Sequence, residues 1–305
     1  MKELIASLRA FLPEEDVLEN ESMALHTTFR AGGAARVFVR PHSTEDLKQV
    51  LSLTVRHDTP YTVIGNGSNL LVSDDGYEGV VVCVRGMGIA GMMNSEIASR
   101  MRDAGQSGFE FAAGIPGTLG GAVIMNAGAY GGEMKDIVTR VDALHVLTDG
   151  TVEEVSFSAE EMQFAYRTSR LKNDSSYVVT AAHLALTPDD PETIAKRMKE
   201  LAEKRKEKQP LEFASAGSTF KRPEGHFAGA LIEAAGCKGL SVGDAQVSEK
   251  HAGFLINRGN ASALQIHQLM REVMRRVYEN SGVTLEPEIV LLGSFPGQKE
   301  ALCDS

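Results

Sequence analysis

The stretch from Ala113 to Gly132, AGIPGTLGGAVIMNAGAYGG, constrains this chain more than any other. It holds seven glycines, one proline and no charged residue in twenty positions. Each interior glycine costs a helix or strand roughly 0.5–1 kcal/mol against alanine, so the strip is expected to form neither stably. It is also too apolar for a solvated linker. A backbone that is both flexible and apolar lies against something. The strip alone leaves two readings open: a flat apolar ligand that the main chain approaches closely, or a glycine packing corner between two layers of the fold.

The remaining composition bounds what can surround that strip. The chain has 305 residues, enough for two domains and a large core. No run approaches the roughly 18 uninterrupted apolar residues of a membrane helix. The N-terminus, MKELIASLRAFLPEED, alternates charged and apolar residues at helical spacing and does not read as a signal peptide. Cys83, Cys237 and Cys303 are widely spaced and odd in number. They fit neither a disulfide framework nor a zinc site, and they suit a reducing cytoplasm. The eight histidines show no metal-ligand spacing, so no metal is expected, and His251 and His267 read as structural or exposed. A net charge of −10 argues against a nucleic-acid binder. The one basic run, Lys196 to Lys208, interleaves Glu200, Glu203 and Glu207 and reads as a solvated helix face.

The element pattern is mixed rather than strictly alternating, which indicates an α+β class. Residues 1–20 read as an amphipathic helix and a turn. Strands are expected at Val37–Val39, Tyr61–Ile64 and Val80–Val84, and Ser43 caps a helix running to His57. Asn94–Ala104 reads as a short helix. Val141–Val146 and Val152–Phe157 form a hairpin around Asp149-Gly150. Ser158 and Glu161 form a capping box for a short helix. Tyr177–Leu186 is a strand, and Asp190 caps a helix from Pro191 to Pro210. Helices His226–Ala235 and Ser262–Asn280 follow, and Val283–Leu292 is expected as the final strand.

Four further motifs can carry chemistry. In VIGNGSNLLV a strand runs into Gly65-Asn66-Gly67-Ser68-Asn69, small residues whose N–H groups can form an anion-binding concavity. Leu70 stands where a dinucleotide fingerprint needs glycine, and no P-loop lysine follows. An ordinary turn fits these residues equally. In QFAYRTSRLK, Arg167 beside Tyr166 can clamp a carboxylate or phosphate, or belong to a surface patch. In AGSTFKRP, Gly217 lets a ligand approach Ser218, and Lys221 and Arg222 can hold phosphate. No Gly-x-Ser-x-Gly elbow is present. In LEPEIVLLG, period two places Glu286, Glu288, Val290 and Leu292 on one face. Glu288 there is either functional or simply at an exposed strand start.

Taken together and in order, these segments resemble the UDP-N-acetylenolpyruvoylglucosamine reductases. The resemblance is carried by HTTFRAGGAARVFVRP (26–41), VIGNGSNLLVSDDG (63–76), GFEFAAGIPGTLGGAVIMNAGAYGG (108–132), YRTSRLK (166–172), AGSTFKRPEGHFAGALIEAAGCKG (216–239), VGDAQVSEKHAGFLIN (242–257) and LEPEIVLLG (285–293). The lack of a long insertion after the YR-x-S motif resembles the shorter form of the enzyme. The resemblance implies an N-terminal helix over 1–24, a two-part FAD-binding domain of the PCMH type over 25–190, and a smaller α+β substrate-binding domain over 195–305. It implies non-covalent FAD, NADPH as reductant, and reduction of a UDP-sugar enolpyruvyl ether in cytoplasmic peptidoglycan precursor synthesis, with no nucleic-acid or membrane partner. By position, Gly65, Asn66, Gly67, Ser68, Asn69 and Leu70 hold the FAD pyrophosphate. Gly114, Ile115, Pro116, Gly117, Gly120, Gly121, Asn126 and Gly128 line the flavin. Ser218 matches the proton donor, and Arg167 and Glu288 match the other two active-site residues. Tyr166, Arg222, Gln246 and His251 lie in substrate-contacting segments.

The alternatives weighed against this are another FAD enzyme of the same domain family, such as a sugar oxidase, and a non-catalytic relative. Sugar oxidases commonly tether flavin through histidine, and residues 58–144 contain none. Two departures from the resembled pattern stand out. Arg85-Gly86-Met87-Gly88-Ile89-Ala90-Gly91 runs almost directly into the Asn94 helix, where the family has a strand, a polar turn and a second strand. The sheet is therefore expected to close with fewer strands or FAD binding to be impaired. Asp244 stands where a second glycine is common, and its carboxylate would repel a pyrophosphate approaching that loop.

Overall fold

The computed structural model describes residues 1–297. Cys303 lies outside the described residues. The fold is α+β, and its contacts divide the chain into two interleaved units. The first comprises Met1–Glu19, Val37–Asn66 and Gly79–Arg205, and the second Asn20–Arg36, Gly67–Glu78 and the chain from Lys206 onward.

The first unit contains the larger share of a four-stranded sheet. Its strand order is Val17–Ser22, Ala34–Val39, Tyr77–Cys83, Tyr61–Ile64, and the last two run parallel, with Tyr61 opposite Val80. Helix α1 (Lys2–Arg9) and helix α2 (Thr44–Arg56) cover it. Leu4, Ile5 and Leu8 of α1 join Leu47, Val50 and Leu51 of α2 on Val37, Val39, Val80 and Val82 in one apolar cluster. The Ser43 cap is made as the sequence indicates: its side chain accepts the Asp46 N–H, and Asp46 accepts the Ser43 N–H in return.

A second cluster in the same unit joins helix α3 (Asn94–Asp103) and helix α4 (Leu119–Ile124) to a three-stranded antiparallel sheet. Its middle strand, Val138–Val146, pairs with Val152–Ser158 on one side and Tyr177–Leu184 on the other. The hairpin is the one the sequence indicates. The Ser158–Glu161 box is formed, with Ser158 N–H donating to Glu161 and Glu161 N–H to Ser158, but it closes a turn and no helix follows.

The glycine strip corrects the expectation that it avoids regular structure. It contains α4 and a two-residue hairpin, Gly128–Ala129 with Gly132–Glu133. Helix α4 forms through Gly120 because the Gly120 N–H donates to the Ala90 carbonyl at 2.8 Å. A side chain there would press on Ala90 and Val179. The partner segment is the shortened stretch after the Val80–Val84 run. It makes no strand. Gly86 N–H bonds Gly91 O, Gly91 N–H bonds Met87 O, and Leu119 N–H bonds Met92 O. Buried Met87 and Ala90 anchor it in the two clusters.

Helix α5 (Pro191–Lys208) starts where Asp190 accepts the Thr193 N–H at 2.9 Å. Its basic run is not wholly solvated, which corrects the sequence reading. Arg197 donates to Glu110, Ser107 and Asp189, and Arg205 has a buried Nε.

In the second unit, helix α6 (Ala228–Ala234) and helix α7 (Ala263–Ser281) share a core with a three-stranded antiparallel sheet built on Ala245–Val247. Ile266, Leu269, Met270, Val273 and Val277 form the buried stripe of α7. Asp74 accepts the N–H groups of Ala263 and Leu264, each at 2.8 Å, at the start of that helix. The final strand is shorter than expected. Only Val290–Leu292 is extended, paired in parallel with Leu70–Val72. Upstream, Leu285 and Ile289 are buried while Glu286 and Val290 are exposed and Glu288 is half-buried, so the even positions still share the side away from the core.

Candidate active site

The first unit gathers several of the expected flavin-lining residues. Gly65 ends the Tyr61–Ile64 strand, and a Cβ on it would stand 2.3 Å from Thr118 Oγ1 at the start of α4. The GNGSN turn and the glycine strip thus meet backbone to side chain with no room for a methyl group. Ile115 O faces the Asn94 amide at 3.5 Å, and Gly117 O accepts the Asn94 N–H at 3.0 Å. These bonds set the Gly114-Ile115-Pro116-Gly117 loop ahead of α4, with Gly121 in the first turn of that helix. Asn66 follows Gly65 as a half-buried residue.

Asn126 is fully buried with φ 42°. Its amide donates to Ala165 O at 2.9 Å and Glu133 Oε2 at 3.2 Å, and its Oδ1 accepts the Lys135 N–H at 2.9 Å. It therefore ties the strip to the turn that carries Tyr166 and Arg167. That turn is closed by reciprocal bonds between Ala165 and Thr168. Arg167 sits at φ 55°, a left-handed conformation that costs a non-glycine residue of order 1 kcal/mol. Its guanidinium lies 5.0 Å from the Tyr166 ring centre and donates to Gly128 O at 2.9 Å.

The second unit gathers the other expected residues. Gly67, at φ 57°, lies against His26 O, where a Cβ would stand only 2.0 Å away. Gly67 O accepts the Thr28 N–H. Ser68 follows, then Asn69, whose amide donates to Glu288 O at 3.1 Å, and Leu70 pairs with Val290. Ser218 is exposed between buried Ala216 and buried Thr219. Thr219 is held on every side: its N–H donates to Gly253 O, its carbonyl accepts the Glu288 N–H at 2.8 Å, and its Oγ1 accepts the Leu255 N–H at 3.1 Å. Ser218 and Glu288 therefore lie on adjoining main-chain segments, and the His251–Leu255 segment flanks them.

His251 Nδ1 accepts the Gly253 N–H at 3.1 Å, which leaves Nε2 as the protonated nitrogen of the neutral ring. Burial pulls its pKa below the ordinary histidine value. Gln246 Nε2 donates to Gly239 O. Lys221 is paired with Glu286 at 2.8 Å, and the Arg222 guanidinium lies 4.5 Å from the ring centre of exposed Phe227. The Asp244 carboxylate accepts the Asn260 N–H at 2.9 Å and stays exposed.

Two domain patterns match this architecture. Residues 35–156 match an FAD binding domain, and 209–292 match the UDP-N-acetylenolpyruvoylglucosamine reductase C-terminal domain. Curated reductases of that name from Agathobacter rectalis and Clostridioides difficile are 43% and 44% identical, over 95% and 96% of this chain and 98% of each relative. The crystal structure of the Thermus caldophilus UDP-N-acetylenolpyruvylglucosamine reductase is 36% identical, with a TM-score of 0.77 over 91% of this chain and 99% of its own. The chain belongs to the UDP-N-acetylenolpyruvoylglucosamine reductase family.

A reductase of this family is an FAD-dependent oxidoreductase. Thr28 Oγ1, Asn94 Oδ1 and Arg205 Nε are buried polar atoms without a hydrogen-bond partner among the described residues. Buried polar groups are ordinarily satisfied, and each of these three borders a segment that the sequence resemblance expects to serve FAD. Thr28 bonds Gly67, Asn94 faces Ile115, and Arg205 packs on Gly114. None was singled out from the sequence. Asn94 and Thr28 carry no distinguishing pattern there. Arg205 does: with Ile194, Met198 and Leu201 it completes the spacing of one helical stripe, and the surrounding charges hid it. No helix among the described residues is long and apolar enough to cross a membrane.

Proposed function

We propose that this protein reduces the enolpyruvyl group of UDP-N-acetylglucosamine enolpyruvate to UDP-N-acetylmuramate with NADPH, in the cytoplasm, for peptidoglycan precursor synthesis. FAD, held by Gly65–Leu70 and the Gly114–Gly128 strip, would supply hydride transfer between NADPH and the β-carbon of the enolpyruvyl group. Residues 25–190 serve chiefly flavin binding and 195–305 chiefly substrate binding.

The observation that carries this reading is the exposed Ser218 hydroxyl on a main chain locked through Thr219 to Glu288. Hydride addition pushes charge into the substrate carboxylate, giving an enolate-like species. Arg167 supplies positive charge toward it. Fixed charge placed where charge develops is often the largest catalytic contribution. Its anchorage on Gly128 and Tyr166 means little reorganisation is needed. The α-carbon then needs a proton. Serine is a weak acid but the enolate is a strong base, so Ser218 can deliver it. Glu288, on the adjoining segment, orients or polarises the substrate. Gln246, His251, Arg222 and Tyr166 contact the sugar nucleotide, with His251 offering a donor at Nε2.

The test is Ser218→Ala, followed by stopped-flow spectroscopy of each half-reaction. NADPH should reduce the flavin at the native rate. Reoxidation by substrate should slow about 10²–10⁴-fold, the usual worth of a placed acid. Equal slowing of both half-reactions would remove Ser218 as proton donor.

A further inference from the structure

Ser218 has little to hold it from its N-terminal side. Gly217 stands at φ 77°, and no described neighbour lies within 4 Å of where its Cβ would stand. The serine itself is exposed. Its position is therefore set by the residue after it, Thr219, which is fully buried. The Thr219 main chain is held from two sides. Its N–H donates to Gly253 O at 2.9 Å, and its carbonyl accepts the Glu288 N–H at 2.8 Å. The Lys221 N–H continues the second ladder to Glu286 O at 2.9 Å, with Phe220 opposite Pro287 between them.

The Thr219 side chain adds a third hold. Its Oγ1 accepts the Leu255 N–H at 3.1 Å. Leu255 opens the strand Leu255–Asn257, which pairs with Ala245–Val247, and it packs in the core shared with α6 and α7. The N–H and the hydroxyl of Thr219 thus grip Gly253 and Leu255, two residues apart on one segment. Two bonds in line resist rotation of the Ser218 segment, where one would leave a hinge. Valine has the same shape but would leave the buried Leu255 N–H without an acceptor, a costly loss. A displacement of about 1 Å at a reacting group can cost about 10²-fold in rate. We propose that the Thr219 hydroxyl is a positioning group: it fixes the direction of Ser218 Oγ, relative to the Glu288 segment, for protonation of the substrate α-carbon. This rests on the reading of Ser218 as proton donor.

The experiment compares flavin-loaded Thr219→Val and Thr219→Ser with the native enzyme and with Ser218→Ala, by stopped-flow spectroscopy of each half-reaction, well below the thermal midpoint of each protein. In Thr219→Val, reoxidation at saturating substrate should slow about 10–10²-fold, while the apparent substrate dissociation constant stays within threefold and NADPH reduces the flavin at the native rate. Thr219→Ser keeps the acceptor and should reoxidise within threefold of native. Thr219→Ala differs from Thr219→Ser by the hydroxyl alone, so that pair carries the same comparison where the valine variant does not fold. A hydroxyl serving stability only would lower the midpoint and leave both rates of the folded, flavin-loaded enzyme unchanged. That result overturns the proposal, as does equal slowing of both half-reactions, or a Thr219→Ser variant as slow as Thr219→Val. Ser218→Ala separates the two ideas. Native reoxidation in that variant removes the proton-donor reading and the proposal with it; slow reoxidation there beside a native rate in Thr219→Val removes the positioning role alone.

Discussion

Two non-glycine residues within the glycine strip, Asn126 and Tyr130, have positive φ, as does Arg167 on the turn tied to it. The Asn126 amide holds together the places where the chain is bent out of its ordinary conformations. Asn126→Ala removes bonds to Ala165, Lys135 and Glu133 at a fully buried position. It should cost about 2–3 kcal/mol, measured by urea denaturation of the apoprotein. Because the Ala165 bond fixes the Arg167 turn, the same variant should lower turnover more than FAD retention. The sequence marks Asn126 only as a member of an apolar strip. Its side chain is spent on protein groups, and a linear pattern cannot show where an amide's bonds will go. The exposure of Ser218 fits local signals, glycine before it and a basic pair after it, while its role was expected only from the resemblance.

At the level of elements, periodicity and caps carried most of the reading. Helices α2 and α7 are where their capping boxes and apolar stripes place them. The failures occur where a tertiary partner decides. Helix α4 forms through two glycines because Ala90 O accepts the Gly120 N–H. The last strand is regular only over Val290–Leu292, where Leu70–Val72 offers it a parallel partner. Helix α7 offers a direct test. Asp74→Ala leaves the Ala263 and Leu264 N–H groups without their carboxylate, and should destabilise the protein by about 1–2 kcal/mol, read from the denaturation midpoint. The Val138–Val146 sheet offers a second. Burial alone would raise the Asp142 carboxyl, but Ser156, His183 and Arg140 outweigh it and hold its pKa at about 2, down from 3.8. A lowered folded value means that its stabilisation is present above about pH 4 and is lost as the pH falls toward 2. Asp142→Asn should therefore cost about 1 kcal/mol near neutrality, after allowance for solvent screening, and only a small part of that at about pH 2. An equal loss at both pH values would contradict the pairing.

Over the whole molecule, FAD is expected to add stability as well as redox chemistry. Asn94 and Arg205 of the first unit each bury a polar atom without a hydrogen-bond partner among the described residues. A ligand at 100 times its dissociation constant stabilises the folded state by about 2.7 kcal/mol. Removing FAD should lower the thermal midpoint, and restoring it should raise the midpoint in proportion to the logarithm of its concentration. A midpoint indifferent to FAD would contradict this.

The interleaving of the two units also governs how the chain can be made and cut. The C-terminal residues from Lys206 fold with Asn20–Arg36 and Gly67–Glu78. Those early segments supply the parallel neighbour of Val290–Leu292 and the carboxylate that receives the first N–H groups of α7. During synthesis they leave the ribosome nearly two hundred residues ahead of the partners they require. They must stay uncommitted until the last strand emerges. The enzyme is therefore poorly divisible: a recombinant fragment beginning near residue 206 has an open sheet edge and a helix without its acceptor. It should gain structure only when a peptide spanning residues 67–78 is supplied in trans.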